Sequence, residues 1–218
     1  MTLANFIAKV NYTLRGIDDD TPNDGSEEWV YWLSLYTRKQ DELYDDDTKN
    51  WSEAFKIESI GTVVDENTVS LDLPSDFISA SDEAYVVKTD GLKTYFDVLR
   101  PNARVEGSLF IAGYNPQKIY LYPEPATALH GGTLWLPGYY RPAEVTDAGD
   151  VLPIPDPNWA ISAVAAEIAF SDITYEDKAE GLQARANYLY SLMIKNNRRA
   201  LYDKPLTTRY DVNRLRSY

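Results

Sequence analysis

The apolar residues of this chain change their spacing twice, from a helical repeat to alternation and back, and no other feature limits the fold as much. Up to residue 59 the large apolar side chains recur at steps of three and four. From about Ile60 they alternate with polar ones, and beyond Pro153-Ile154-Pro155-Asp156-Pro157 the helical steps return. Strands between terminal helices make an α+β chain. Each terminal stripe has to be buried, and the simplest partner for one is the other. The expected fold is a helical bundle from N- and C-terminal helices with an inserted antiparallel β-sandwich or partly open barrel. Its parts are 1–59 (first helices), 60–152 (β insertion), 153–202 (last helices) and 203–218 (an extended docking arm).

Local signals place the elements. Thr2 caps a first helix whose Leu3, Phe6, Ile7, Val10 and Leu14 share a face, and Gly16 ends it. After an acidic connector, a second helix begins near Ser26-Glu27-Glu28, where acids suit the positive end of the dipole. Its apolar face is Trp29, Trp32, Leu33, Tyr36 and Leu43. A short helical piece is expected from Trp51 to Phe55.

In the middle block Val69, Leu71 and Leu73 point away from Thr68, Ser70 and Asp72, as in a half-buried strand. Asp65-Glu66-Asn67 turns the chain just before it. Thr89-Asp90-Gly91 joins Ala84–Lys88 to Leu92–Leu99, and Asn115-Pro116-Gln117 joins Leu109–Tyr114 to Lys118–Tyr122. Thr133–Tyr139 completes a set of roughly six strands.

Asp156 caps a third helix with Pro157 at its first position, burying Ile161, Val164, Ala165, Ile168 and Ala169. Thr174 followed by Asp177 reads as a capping box that opens a longer helix. Along it Tyr175, Ala179, Leu182, Ala186, Leu189 and Met193 form a packing seam, with Leu182, Leu189 and Met193 as its large members.

Composition removes several function classes. There is no cysteine, so disulfide scaffolds, zinc ribbons and thiolate chemistry are excluded and a reducing compartment suits the chain. The lone His130 lies in the turn sequence Leu129-His130-Gly131-Gly132 and has no serine motif around it. No nucleotide-cradling glycine loop is present, and a calcium loop turning at Gly25 would have Pro22 and Tyr31 where ligands belong. No catalytic residue, metal site or cofactor is expected. No run is apolar enough to span a membrane and no secretory signal is visible, so a soluble protein with no membrane partner is expected.

Charge is divided unevenly. The chain carries a net −13, but from Arg185 onward eight basic residues face only Asp203 and Asp211, a net +6 that leaves −19 on the preceding residues. A polyphosphate is repelled by most of such a surface, which argues against non-specific DNA binding. The last stretch, Asp203 to Tyr218, mixes bases with Pro205, Tyr210, Val212, Leu215 and Tyr218. It is too apolar for a solvated tail and too short for its own core. Ordering it costs roughly 1–2 kcal/mol per residue, so its anchors need burial on another polypeptide. The basic end also permits a nucleic-acid arm or a solvated terminus.

The order of these features resembles the head-to-tail adaptor (connector) proteins of tailed bacteriophages. The resemblance rests on Trp29 and Trp51 in the first helices, Leu73-Pro74-Ser75-Asp76-Phe77, Lys118-Ile119-Tyr120-Leu121-Tyr122-Pro123, Tyr140-Arg141-Pro142 and Ile154-Pro155, followed by two helices. It implies a non-enzymatic virion component at the head–tail interface, assembled in the host cytoplasm. It implies a homo-oligomeric, dodecameric ring under the portal protein, meeting a downstream tail or nozzle protein, through which genome DNA passes without specific binding. The resemblance points to the C-terminal segment for docking on the portal or a neighbour, with Arg209, Tyr210, Val212, Arg214, Leu215, Arg216 and Tyr218 as the candidates.

A second reading stays open. Tyr114, Tyr120, Tyr122, Trp135, Tyr139 and Tyr140 crowd the β block, which suits a carbohydrate- or protein-binding module of a tail or fibre. The many acids leave a carboxylate-pair hydrolase as a third.

Overall fold

The computed structural model describes residues 1–16, 20–45, 51–64, 68, 70–99, 108–112, 117–122 and 129–202. Among these residues there are four α-helices and eight strands, which makes it an α+β protein. The chain divides into two compact units, Met1–Leu43 together with the chain from Glu144, and Tyr44–Ala143.

In the first unit α1 (Leu3–Arg15) starts where Thr2 Oγ1 accepts from Asn5 N and stops where Gly16 turns left-handed at φ 74°. Leu3, Phe6, Ile7, Val10 and Leu14 are all buried, as their spacing predicts. Backbone bonds pin its start, with Leu3 N donating to Asp150 O at 2.9 Å and Ala4 N to Ala148 O at 2.9 Å.

Helix α2 (Glu27–Tyr44) buries Trp29, Trp32, Tyr36 and Leu43. The expected Leu33 is only half-buried, and Leu35 takes its place in the core. Helix α3 (Pro157–Ser171) has Asp156 as its cap and Pro157 in its first turn. Beyond the five expected residues it also buries Trp159, Ala160, Ser162, Ala163 and Ala166, so it is covered nearly all round. Its alanines leave room for close neighbours, and α1 and α4 pack on it.

Helix α4 (Glu176–Tyr202) begins after a 3-10 turn at Ile173–Tyr175. The expected Thr174–Asp177 capping box is not what forms. Asp172 instead caps the 3-10 turn that precedes α4, its Oδ1 accepting from Thr174 N at 2.9 Å.

The second unit is a sheet of β1 (Phe55–Val63), β2 (Ser70–Asp72), β3 (Phe77–Ala80), β4 (Glu83–Val87), β5 (Lys93–Leu99), β6 (Ser108–Ala112), β7 (Lys118–Tyr122) and β8 (Gly132–Tyr140). The hydrogen-bonded order is β1-β8-β4-β5-β6-β7-β2, with β3 also on β8. The hairpins expected around Thr89-Asp90-Gly91 and between β6 and β7 both form, with Gly91 at φ 79° in the first. The turns 65–67 and 113–116 and residue Val69 lie outside the described residues.

Three expectations need correction. Strand β1 begins at Phe55, so only Ser52–Ala54 is helical and alternation starts before Ile60. Strand β3 was not foreseen. The pair β5–β6 is parallel, Val98 opposite Leu109, so the sheet is not wholly antiparallel. No ladder joins β1 to β2 among the described residues, so the barrel is not closed. The two approach through side chains instead: a Cβ at Gly61 of β1 would lie 3.3 Å from Leu71 Cδ2 of β2. The core is Val63, Leu73, Ala84, Val86, Ile119, Leu129, Leu134 and Leu136.

Candidate assembly interface

The candidate docking residues Arg209, Tyr210, Val212, Arg214, Leu215, Arg216 and Tyr218 lie outside the described residues. The seam candidates are all on α4, where Met193 is buried and Leu182 and Leu189 are half-buried. The tightest positions of that stripe are Ala179 and Ala186, where small side chains let α4 approach α3 closely.

Of the residues that carry the family resemblance, Asp76, Phe77, Tyr140 and Arg141 come together in the sheet unit, while Trp29, Ile154 and Pro155 belong to the helical one. Lys56 Nζ lies 2.9 Å from Asp76 Oδ2 and 2.8 Å from Glu58 Oε1, and 4.7 Å above the ring of Tyr140. Tyr140 Oη donates to Leu136 O at 2.9 Å, and Phe77 meets the same ring edge-on. Arg141 N donates to Asp76 O at 2.5 Å, while its guanidinium pairs with Asp45.

A groove of about 390 Å³ runs between Glu53, Lys56, Asp76, Tyr140 and Pro142. Burial works against the Lys56 charge, but its hydrogen bonds to Glu58 and Asp76 more than offset this and raise its pKa. Burial, helped by Glu58 and Asp76, pushes the Tyr140 phenol up as well. Both shifts move away from neutral pH, the reverse of what proton transfer at that pH needs. This cluster has the chemistry of a clamp.

Of the aromatics expected in the β block, Trp135 and Tyr140 fall on opposite faces of β8. Tyr140 is buried at its own hydrogen bond, and Tyr114 lies outside the described residues. Trp135, Tyr85 and Tyr95 follow one another across β8, β4 and β5 on the outer face, with Tyr85 and Tyr95 rings 5.5 Å apart and Lys93 Nζ 4.6 Å from the Tyr85 ring. His130 sits in its expected turn, closed by Gly131 N donating to Val63 O at 2.7 Å. Among the described residues no group of three or more His, Asp and Glu is placed to hold a metal ion, and no helix is long and apolar enough to cross a membrane.

In the helical unit α2 and α3 run antiparallel. Tyr31 reaches Ser171, Arg38 and Lys39 pair with Glu167, and Leu43 lies near Trp159 and Ala163. Tyr31, Leu35, Arg38, Glu167, Phe170 and Ser171 line an open groove on this pair.

Sequence reading missed Arg15 as a junction. Its Nε donates to Tyr175 Oη at 3.2 Å, one terminal nitrogen to Asp20 O at 2.6 Å, and the other to Glu28 Oε1 at 2.5 Å, with the Trp32 ring 5.8 Å away. The only local hint was a basic residue in the last turn of α1.

A family model described as "SU10 adaptor protein" matches residues 1–214. A comparison with curated proteins found no match. The matched span takes in both units, the clamp at Lys56–Asp76–Tyr140 and all the described helices. The chain therefore belongs to the SU10 adaptor protein family, a family of phage head-to-tail adaptors.

Proposed function

We propose that this chain is the structural adaptor that joins the portal protein to the tail of a phage, as a ring of identical copies through which the genome passes. The observation that carries this reading is the family match over residues 1–214. The ring is dodecameric, sits at the head–tail interface of the virion, and is assembled in the host cytoplasm before tail proteins join below. The helical ends form a bundle that carries the β insertion.

Charge supports the reading. With −19 on the residues before Arg185, a channel wall made from this chain repels DNA and lets it slide rather than stick. The basic arm 203–218 docks on the portal or on a neighbouring copy, with Arg209, Tyr210, Val212, Arg214, Leu215, Arg216 and Tyr218 as its contacts. No reaction is required of such a protein, and the shifted pKa values of Lys56 and Tyr140 agree with a holding role.

The test is removal of residues 203–218. The truncated chain is expected to keep its circular dichroism spectrum and melting behaviour but to lose co-sedimentation with portal. Undiminished co-sedimentation refutes the role given to the arm. Portal binding by neither full-length nor truncated chain refutes the adaptor reading itself.

A further inference from the structure

Two surfaces of the helical unit are uncovered, near the two halves of α4. Near its start, Phe170 is 59% exposed, Ile173 88% and Tyr31 44%, although all three are large and apolar or aromatic. Phe170 and Tyr31 line the same groove, and Ile173 follows Ser171, which Tyr31 meets at 3.5 Å. Glu27, one turn before Tyr31, and Glu176 and Asp177 stand exposed near it, none in an ion pair among the described residues.

Farther along, Tyr188 is 63% exposed on the side of α4 opposite the buried Ala179, Ala186 and Met193. Arg185 and Lys195 share that outward side at helical spacing, exposed and also outside any ion pair among the described residues. The first surface is apolar apart from the Arg38–Glu167 pair, with an acidic border. The second is an aromatic ring between two bases.

These surfaces complement each other but cannot meet in one molecule. The first is made by Tyr31 on α2, Phe170 at the end of α3 and Ile173 in the turn that leads into α4, and the second lies on α4 itself, a helix of 27 residues. At about 1.5 Å per residue, Tyr188 to Lys195 lie about 18–29 Å along the axis from Glu176. A rigid helix holds them at that separation, so only another copy can bring them together.

We infer that the Tyr31–Phe170–Ile173 surface of one copy receives the Arg185–Tyr188–Lys195 face of α4 from a second copy. Such a contact uses different surfaces on the two partners, so it repeats from copy to copy and produces a closed ring or an open filament, never a two-fold pair. The apolar residues give the buried centre and the charges set the orientation and the salt dependence. The inference deepens the ring reading above and rests on it only for closure.

The experiment is sedimentation velocity of the full chain over a wide concentration range at low salt. The wild type is compared with Ile173→Lys, Tyr188→Glu and an equimolar mixture of the two. Both positions are highly exposed, and matched thermal melts check that the variants fold. The wild type is expected to associate beyond two copies, less so as salt rises. Each variant alone is expected to associate at least about tenfold more weakly. The mixture is expected to stop at a pair, because one member keeps an intact Tyr188 face and the other an intact Ile173 surface.

A wild type that stays monomeric, or that stops at a dimer, overturns the inference, and so does assembly unchanged in both variants. Portal co-sedimentation of the same variants separates the readings. If it survives while the inference fails, the adaptor role stands and the copy contact lies elsewhere.

Discussion

Replacing Gly138 by alanine should destabilise the sheet unit, whereas the same replacement at Gly181 should stabilise the helical one. Gly138 sits in β8 between β1 and β3, opposite Lys56 on one side and Ala80 on the other. A Cβ there would lie 2.7 Å from the backbone oxygen of Ser79 and 3.4 Å from Tyr140 Cε2. The first contact is with backbone, so a rotamer change cannot relieve it and β3 must move away from β8. Overpacking of this kind costs about 1–3 kcal/mol. The opposing gain, a less flexible unfolded chain, is about 0.4–1 kcal/mol, so the net effect remains a loss.

For a unit the size of Tyr44–Ala143, each kcal/mol lowers the midpoint by about 4–8 °C. Gly181 is different: it lies inside α4 with nothing within 4 Å of an added Cβ. Alanine there gains about 0.5–1 kcal/mol of helix propensity. Scanning calorimetry of the two variants reads both signs. An unchanged or raised midpoint for Gly138→Ala would show that β3 is not held where the Ser79 contact requires, and the argument for the clamp beside it would go too.

Other perturbations test separate parts of the fold. Leu134→Ala empties a fully buried position in the sheet core and should cost about 2–5 kcal/mol in urea unfolding, whereas Ile57→Ala on the exposed face of β1 should be close to neutral. Arg15→Ala leaves Glu28 and Tyr175 without their shared donor and should cost about 1–3 kcal/mol, with Arg15→Lys recovering only part because it lacks the planar fork. Asp172 and Asp150 accept backbone N–H bonds that hold their pKa values below the usual carboxylate range. Their contribution is therefore present above the unfolded pKa, near 3.8, and fades as pH falls from there through the lower folded values. The melting midpoint of Asp172→Asn should accordingly fall less steeply with acid than that of the wild type, and equal slopes would refute the capping role.

The helices were legible because their determinants are local. Thr2 and Gly16 bracket α1, and Asp156-Pro157 starts α3, each within a few residues of the bonds it makes. Strand β1 was hidden for the opposite reason. Ile57 points outward and is 48% exposed, while Lys56 is half-buried, an inversion of the usual alternation. What makes Lys56 acceptable there is Asp76 and the Tyr140 ring, neither of them near it in sequence.

The exchange of Leu33 for Leu35 on α2 is of the same kind. Both fit a helical stripe, and only the neighbours that surround the helix decide its rotation. The parallel pairing of β5 with β6 has no local signature either, since it reflects where two distant segments meet.

The same division explains why a family could be recognised while its contacts could not. Asp76, Phe77, Tyr140 and Arg141 each answer a demand of the fold: a cation to pair, a ring to pack, a strand end to tie. Such demands keep residue types at fixed places along the chain, and order along the chain is what the resemblance reads. Docking surfaces answer to something outside the molecule. Ile173, Phe170 and Tyr188 look in sequence like any apolar residues near a helix, and they become informative only once the helices are packed and these three are left over. An adaptor carries much of its binding specificity in such leftovers, so its partner surfaces are to be sought where a good core-forming residue has been left without a core.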